Sequence, residues 1–244
     1  MIAAAILSCL GVLLPAEGSL PGSVGTEDAA AGAAVPGDGA LAASDDAKRI
    51  PSGADRAYRL SFTTLMENDA VRLESLIRSS GPDEPFETAI LCINHIIVTD
   101  SLKYLGKAVE SLEKAAGGVE GDRLYAVYEG MAESYLARKR TVFGVENLKR
   151  ADALMSSIPS DYGDWYIRLL RGMSCYGLGR GLPGIGPMKA HKVRALATGK
   201  ADLGFVVARY DEAPSGAFDP ETYDWELRPV PAAARDYALS VLSR

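Results

Sequence analysis

Between Asp164 and Asp202 the chain carries no acidic residue, while Arg168, Arg171, Arg180, Lys189, Lys192, Arg194 and Lys200 are all basic. In a protein of formal net charge -6, such a run of cations is a candidate site for an anionic ligand or partner. Arginine suits carboxylates because its planar fork donates two hydrogen bonds at once. Trp165, Tyr166 and Tyr176 accompany the run and could wall a binding site. The plainer reading of the same residues is solvated helix faces, a loop between them, and core aromatics.

Other candidate chemistry is thin. Gly179-x-Gly181-x-x-Gly184 matches the dinucleotide fingerprint as a string. That fingerprint works only between a buried strand and a helix N-terminus, where backbone amides face the pyrophosphate. Here it follows a helical pattern and contains Pro183, so an inter-helix insertion is expected. His95 and His191 lie far apart, and neither has ligands at metal-binding spacing. His95, flanked by apolar residues, reads as a core or groove histidine. No Gly-x-Ser-x-Gly elbow occurs, and no carboxylate pair is defensible as acid and base. The sequence therefore leads us to expect no enzyme activity, no cofactor and no metal. The acidic balance, with a sequence pI of about 5.1, argues against nucleic acid as a partner.

The three cysteines, Cys9, Cys92 and Cys175, form no CxxC pair. Cys92 and Cys175 could form a disulfide, or each could be a buried thiol within an apolar helical pattern.

The elements that must carry these residues begin late. Residues 2–14 are an apolar run too short to span a bilayer, with the length of a secretory h-region. Ala16-Glu17-Gly18 then offers a small-residue cleavage site. Ile6-Leu7-Ser8-Cys9 offers a lipoprotein box instead, with Cys9 as the candidate for lipidation. No Lys or Arg precedes the run, and an N-terminal helix of the domain is the competing reading. Residues 19–50 are mostly Ala, Gly, Ser, Pro and Asp, too poor in large side chains to offset the entropy of ordering, and read as a flexible linker. The expected layout is a signal in 1–18, a linker in 19–50 and a folded domain in 51–244. Export to the periplasm or the envelope surface follows, with membrane contact only through an N-terminal anchor.

From about Ser52 onward, apolar residues recur at three- and four-residue intervals, which predicts helices throughout. Leu124, Tyr128, Met131 and Tyr135 make one stripe after the cap Asp122. Val145, Leu148, Ala151, Met155 and Ile158 make the next, closed by Pro159. Trp165, Leu169, Met173 and Tyr176 make a third, capped by Asp161 or Asp164. Asp219-Pro220-Glu221 reads as a helix start, and Pro231 as the opening of a last helix to about Leu242. Residues 89–98, nearly continuous apolar sequence, read as a core helix because a lone strand would have no partner.

The helices repeat. Gly130-Met131 and Gly172-Met173 lie 42 residues apart, and Leu136 and Leu178 keep that offset. Leu105 and Ala108 match Leu148 and Ala151 at 43. Tyr128, Met131, Ala132 and Tyr135, followed by Gly144, Leu148 and Ala151, resemble the tetratricopeptide (TPR) family's pattern of large and small residues along a helix pair. Pro159 stands later than that pattern's closing Pro. The next unit keeps Leu170, Met173 and Ser174 but has Gly177 where Tyr is expected. Its second helix reads as delayed by about fifteen residues, with Ala201, Phe205, Ala208 and Pro214 in register. Ala89, Cys92, Ser101, Leu105 and Ala108 make a weaker unit before it. The resemblance spans roughly residues 84–214. It implies an all-α fold, an α-α superhelix of antiparallel helix pairs, each burying a face on its neighbour. It also implies a concave groove, for which Tyr128, Tyr135, Trp165, Tyr166, Arg168, Arg171 and Tyr176 are the candidate lining. The leading expectation is a non-catalytic scaffold or adaptor for another envelope protein. The alternative is a periplasmic carrier or transporter accessory for a small anionic or amphipathic molecule.

Overall fold

The computed structural model describes residues 52–118, 122–139, 144–182, 184, 186 and 188–243. The signal, the linker and Cys9 lie outside these residues. Nine α-helices stand among the described residues, and no strand. They are α1 (Ser52–Glu67), α2 (Ala70–Ser79), α3 (Pro85–Thr99), α4 (Leu105–Ala115), α5 (Arg123–Lys139), α6 (Gly144–Ser156), α7 (Trp165–Gly181), α8 (Met188–Glu212) and α9 (Ala232–Leu242).

Local sequence sets the boundaries. Asp69 Oδ1 accepts the amides of Val71 and Arg72 at 2.9 and 3.0 Å, opening α2. Pro85 opens α3 at a position where its missing N–H is harmless. Asp100 ends α3 in the left-handed region, at φ 56°. Asp122 caps α5 through the Leu124 amide at 2.8 Å. Of the two caps expected for α7, Asp164 is the one used, accepting the amides of Tyr166 and Ile167.

The apolar run at 89–98 is helical and forms the centre of the core, with Ile90, Ile93, Ile96 and Ile97 almost wholly buried. Its apolar residues point all round because α1, α2, α4 and α5 all pack on it. Consecutive helices pair as α3 with α4, α5 with α6, and α7 with α8. The first helices of these pairs also touch in series, α3 on α5 and α5 on α7.

Glycines at the 42-residue spacing mark equivalent contacts. A Cβ on Gly130 would lie 2.5 Å from Met155 Cε of α6, and one on Gly172 3.0 Å from Leu203 Cγ of α8. At Gly199 a Cβ would meet the backbone of α7 itself, 2.8 Å from the Tyr176 amide nitrogen. Small residues thus let α7 and α8 approach closely, and this pair has the most extensive contact in the molecule.

Two sequence expectations need correction. The second helix after α7 is not delayed, since α8 starts at Met188 and runs unbroken to Glu212. Gly177, Gly179 and Gly181 lie inside α7, where the missing side chain at Gly179 makes room for Leu196. Asp219-Pro220-Glu221 starts no helix. Asp219 accepts the Glu221 amide and the Thr222 hydroxyl, and the chain turns again at Asp224. Phe218, Tyr223 and Trp225 are instead drawn onto the ring of Phe62, with centroids 4.9 to 5.4 Å away.

Candidate functional site

The series of first helices α3, α5 and α7 offers one continuous face, and α1 lies against it. The stripe Ala57, Tyr58, Ser61, Phe62 and Leu65 is the buried side of α1. At its centre the Ser61 hydroxyl sits 2.7 Å from the Tyr128 hydroxyl on α5 and 2.6 Å from the Tyr166 hydroxyl on α7. Tyr128 donates to Asn94 Oδ1 of α3 at 2.7 Å. Asn94 Nδ2 in turn donates to the Ser61 carbonyl and to Thr64 Oγ1, both at 2.9 Å. Every member is buried, so each bond replaces one that water would otherwise supply. Burial pushes the Tyr128 phenol up to about 12, and that of Tyr166 well above its ordinary value. Both are therefore neutral hydrogen-bonding groups.

One end of α1 is clasped by charge. The Tyr58 hydroxyl donates to Asp164 at 3.0 Å, and Arg228 Nη1 donates to the same carboxylate at 2.6 Å. Arg228 takes a left-handed backbone, φ 47°, while its carbonyl accepts from Trp165 Nε1 at 2.7 Å. One carboxylate thereby joins α1, the start of α7 and the chain leading to α9.

The seven groove candidates are not one open wall. Tyr128, Trp165 and Tyr166 are brought together, but beneath α1. Tyr176 is buried further along α7 against α8, and Tyr135 is half-buried against the core. Arg168 and Arg171 are buried and bound to Asp202 of α8. Arg168 Nε donates to Oδ1 at 2.8 Å, and Arg171 donates through Nε and Nη2 at 2.6 and 2.8 Å. Arg171 Nη1 also donates to the Ile158 and Pro159 carbonyls. These arginines hold the interior together and do not face a ligand. Six of the seven candidates are buried, three beneath α1 and three against α8, so they do not line an open groove.

The rest of the basic run divides. Arg194 pairs with Asp152 of α6, and His191 Nδ1 lies 2.6 Å from the same carboxylate. Lys192 Nζ donates to the Leu182 carbonyl at 3.0 Å. Arg180, Lys189 and Lys200 are exposed, with no acidic partner among the described residues.

His95 is buried on α3, with Thr99 Oγ1 3.3 Å from Nδ1 and Glu74 3.5 Å from Nε2. Desolvation holds its pKa below the ordinary value, against the pull of Glu74. Cys92 and Cys175 are free thiols, and burial pushes them to about 11 and about 12. Among the described residues no three His, Cys, Asp or Glu side chains gather as metal ligands, and no helix is long and apolar enough to cross a membrane. The Gly179–Gly184 string ends a helix, with no strand before it. An apolar cleft between α1, α7 and α9, lined by Leu65, Leu169, Met173 and Tyr237, holds about 10 Å³.

Sequence reasoning missed Ser61, Asn94 and Asp202 as organising residues, and read Asp164 only as a helix cap. Of the three missed, only Asp202 left a signal, as the first acid after a long basic run. No family model, curated protein or solved structure matches the chain.

Proposed function

We propose that this chain is a non-catalytic, TPR-like helical-repeat adaptor that is exported and binds another protein of the cell envelope. The observation that carries the reading is the order of helix contacts: three consecutive hairpins whose first helices touch in series. That order, with Gly130 and Gly172 at matching contacts, is what stacked helix pairs of a superhelical array require. Arrays of this kind present extended surfaces suited to protein partners. Export rests on the apolar run at 2–14 and the linker at 19–50. The cleft beside α1 has room for about one water molecule, too little for a small-molecule ligand at that place.

The test is chemical cross-linking in intact cells followed by purification of the full-length protein. A recurrent envelope protein cross-linked to the helical domain is the expected result. Recovery of the protein alone, or its retention in the cytosolic fraction, would overturn the reading.

A further inference from the structure

We infer that the exposed basic side of the α7–α8 hairpin docks an acidic segment of a partner protein. This inference deepens the adaptor reading and rests on it.

The fold consumes part of the basic run. Asp202 takes Arg168 and Arg171, and Asp152 takes Arg194. Arg180, Lys189, Lys192 and Lys200 then remain without an acidic partner among the described residues, along a stretch that contains no acid of its own. On α8, Lys192, Val193 and Lys200 lie three, four and eleven residues after Lys189, which places them on one side of the helix. Val193 is 60 % exposed among them, an apolar side chain within a row of ammonium groups.

The end of α7 lies beside this side of α8. A Cβ on Gly179 would sit 3.0 Å from the Leu196 amide nitrogen, so the neighbouring Arg180 stands next to the same turns. Two of the cations are held in place. Lys192 is anchored on the Leu182 carbonyl at 3.0 Å, and the Arg180 guanidinium lies 6.0 Å from the Tyr176 ring centroid.

The whole protein has a formal charge of -6, so this hairpin is where a carboxylate-rich segment meets attraction and not repulsion. A row of cations, two of them held in place, beside one exposed valine fits a peptide that alternates acidic and apolar residues. A lipid surface fits it less well, because among the described residues no exposed aromatic accompanies the lysines.

The experiment uses the full-length protein and a short fluorescein-labelled peptide of alternating Glu and Leu, followed by anisotropy. The K189E/K192E/K200E variant is expected to weaken binding at least about tenfold, each exposed pair contributing a factor of a few. The K114E/K139E/K149E variant, which reverses as many cations on other helices, should change it less than about twofold. K189E/K200E, which spares the Lys192 anchor, should weaken binding in the same direction, and circular dichroism checks that all three variants are folded. Equal weakening by both triple variants, no peptide binding by the wild type, or preferential binding to phosphatidylglycerol vesicles would each overturn the inference. If the cross-linked partner is recovered equally well with K189E/K192E/K200E, the docking side is wrong and the adaptor reading stands.

Discussion

Tyr128 on α5 and Asn94 on α3 are joined by a hydrogen bond of 2.7 Å in full burial, and both also bond Ser61 of α1. Tyr128→Phe keeps the ring and removes the donor, so Asn94 Oδ1 loses the donor it has here. A loss of about 1–3 kcal/mol is expected, the usual penalty for an unsatisfied buried polar group. Urea denaturation followed by circular dichroism measures it. An unchanged midpoint would show that the network is not formed in solution.

Asp202→Asn should be more damaging than any change of an exposed carboxylate such as Asp219. It leaves Arg168 and Arg171 buried without their counter-charge, a situation that costs about 3–5 kcal/mol. Thermal melts of D202N and D219N compare the two directly. Similar Tm values would remove the pair from the list of interior ties.

Two glycines on α8 should respond in opposite directions. Gly199→Ala places a methyl 2.8 Å from the Tyr176 backbone nitrogen, so α7 and α8 must separate, and overpacking of this kind costs about 1–3 kcal/mol. Gly204→Ala meets nothing within 4 Å and should stabilise the helix by about 0.5–1 kcal/mol. The sign of each change in the denaturation midpoint is the readout.

Stability should fall at both ends of the pH range. Cys92 and Cys175 ordinarily ionise near 9.0 but are held at about 11 and about 12 in the fold. The unfolded chain therefore loses these protons first, and stability declines as pH rises above about 9. Tyr128, moved from 10.0 to about 12, adds to the decline over the next decade of pH. His95 acts on the acid side. Burial lowers its pKa, so below 6.5 the unfolded chain takes up the proton more readily and stability falls with pH. A plateau between about pH 7 and 8.5 is expected in a denaturation series. At pH 8 iodoacetamide should leave both thiols unmodified until urea is added.

Much of the helix layout was legible because its signals are local. The caps Asp122 and Asp164, the proline at 231 and the spacing of Leu124, Tyr128 and Met131 each act within a turn or two of chain. The helical state of residues 89–98 could be read by elimination. The failures came where distant residues decide. Asp219-Pro220-Glu221 carries a helix-start pattern, yet Phe218, Tyr223 and Trp225 gain more by packing on Phe62, which lies more than 150 residues earlier. The string from Gly179 to Gly184 suggested an inter-helix insertion, whereas α7 continues to Gly181 and Gly179 packs against Leu196 of α8. The candidate site was misread for the same reason. Tyr128, Trp165 and Tyr166 have the spacing of residues that line an open face, and nothing in their own sequence shows that Ser61 and Phe62 will cover them.

The position of α1 also bears on how the molecule comes apart. A stack in which each hairpin touches only its neighbours can fray from either end, losing one link at a time. Here one rod is pinned to three successive links, through Asn94, Tyr128 and Tyr166. Loosening the middle link also unseats the rod, and with it the outer two. The described helices should therefore melt in one step, their fates bound together by a helix from outside the three hairpins.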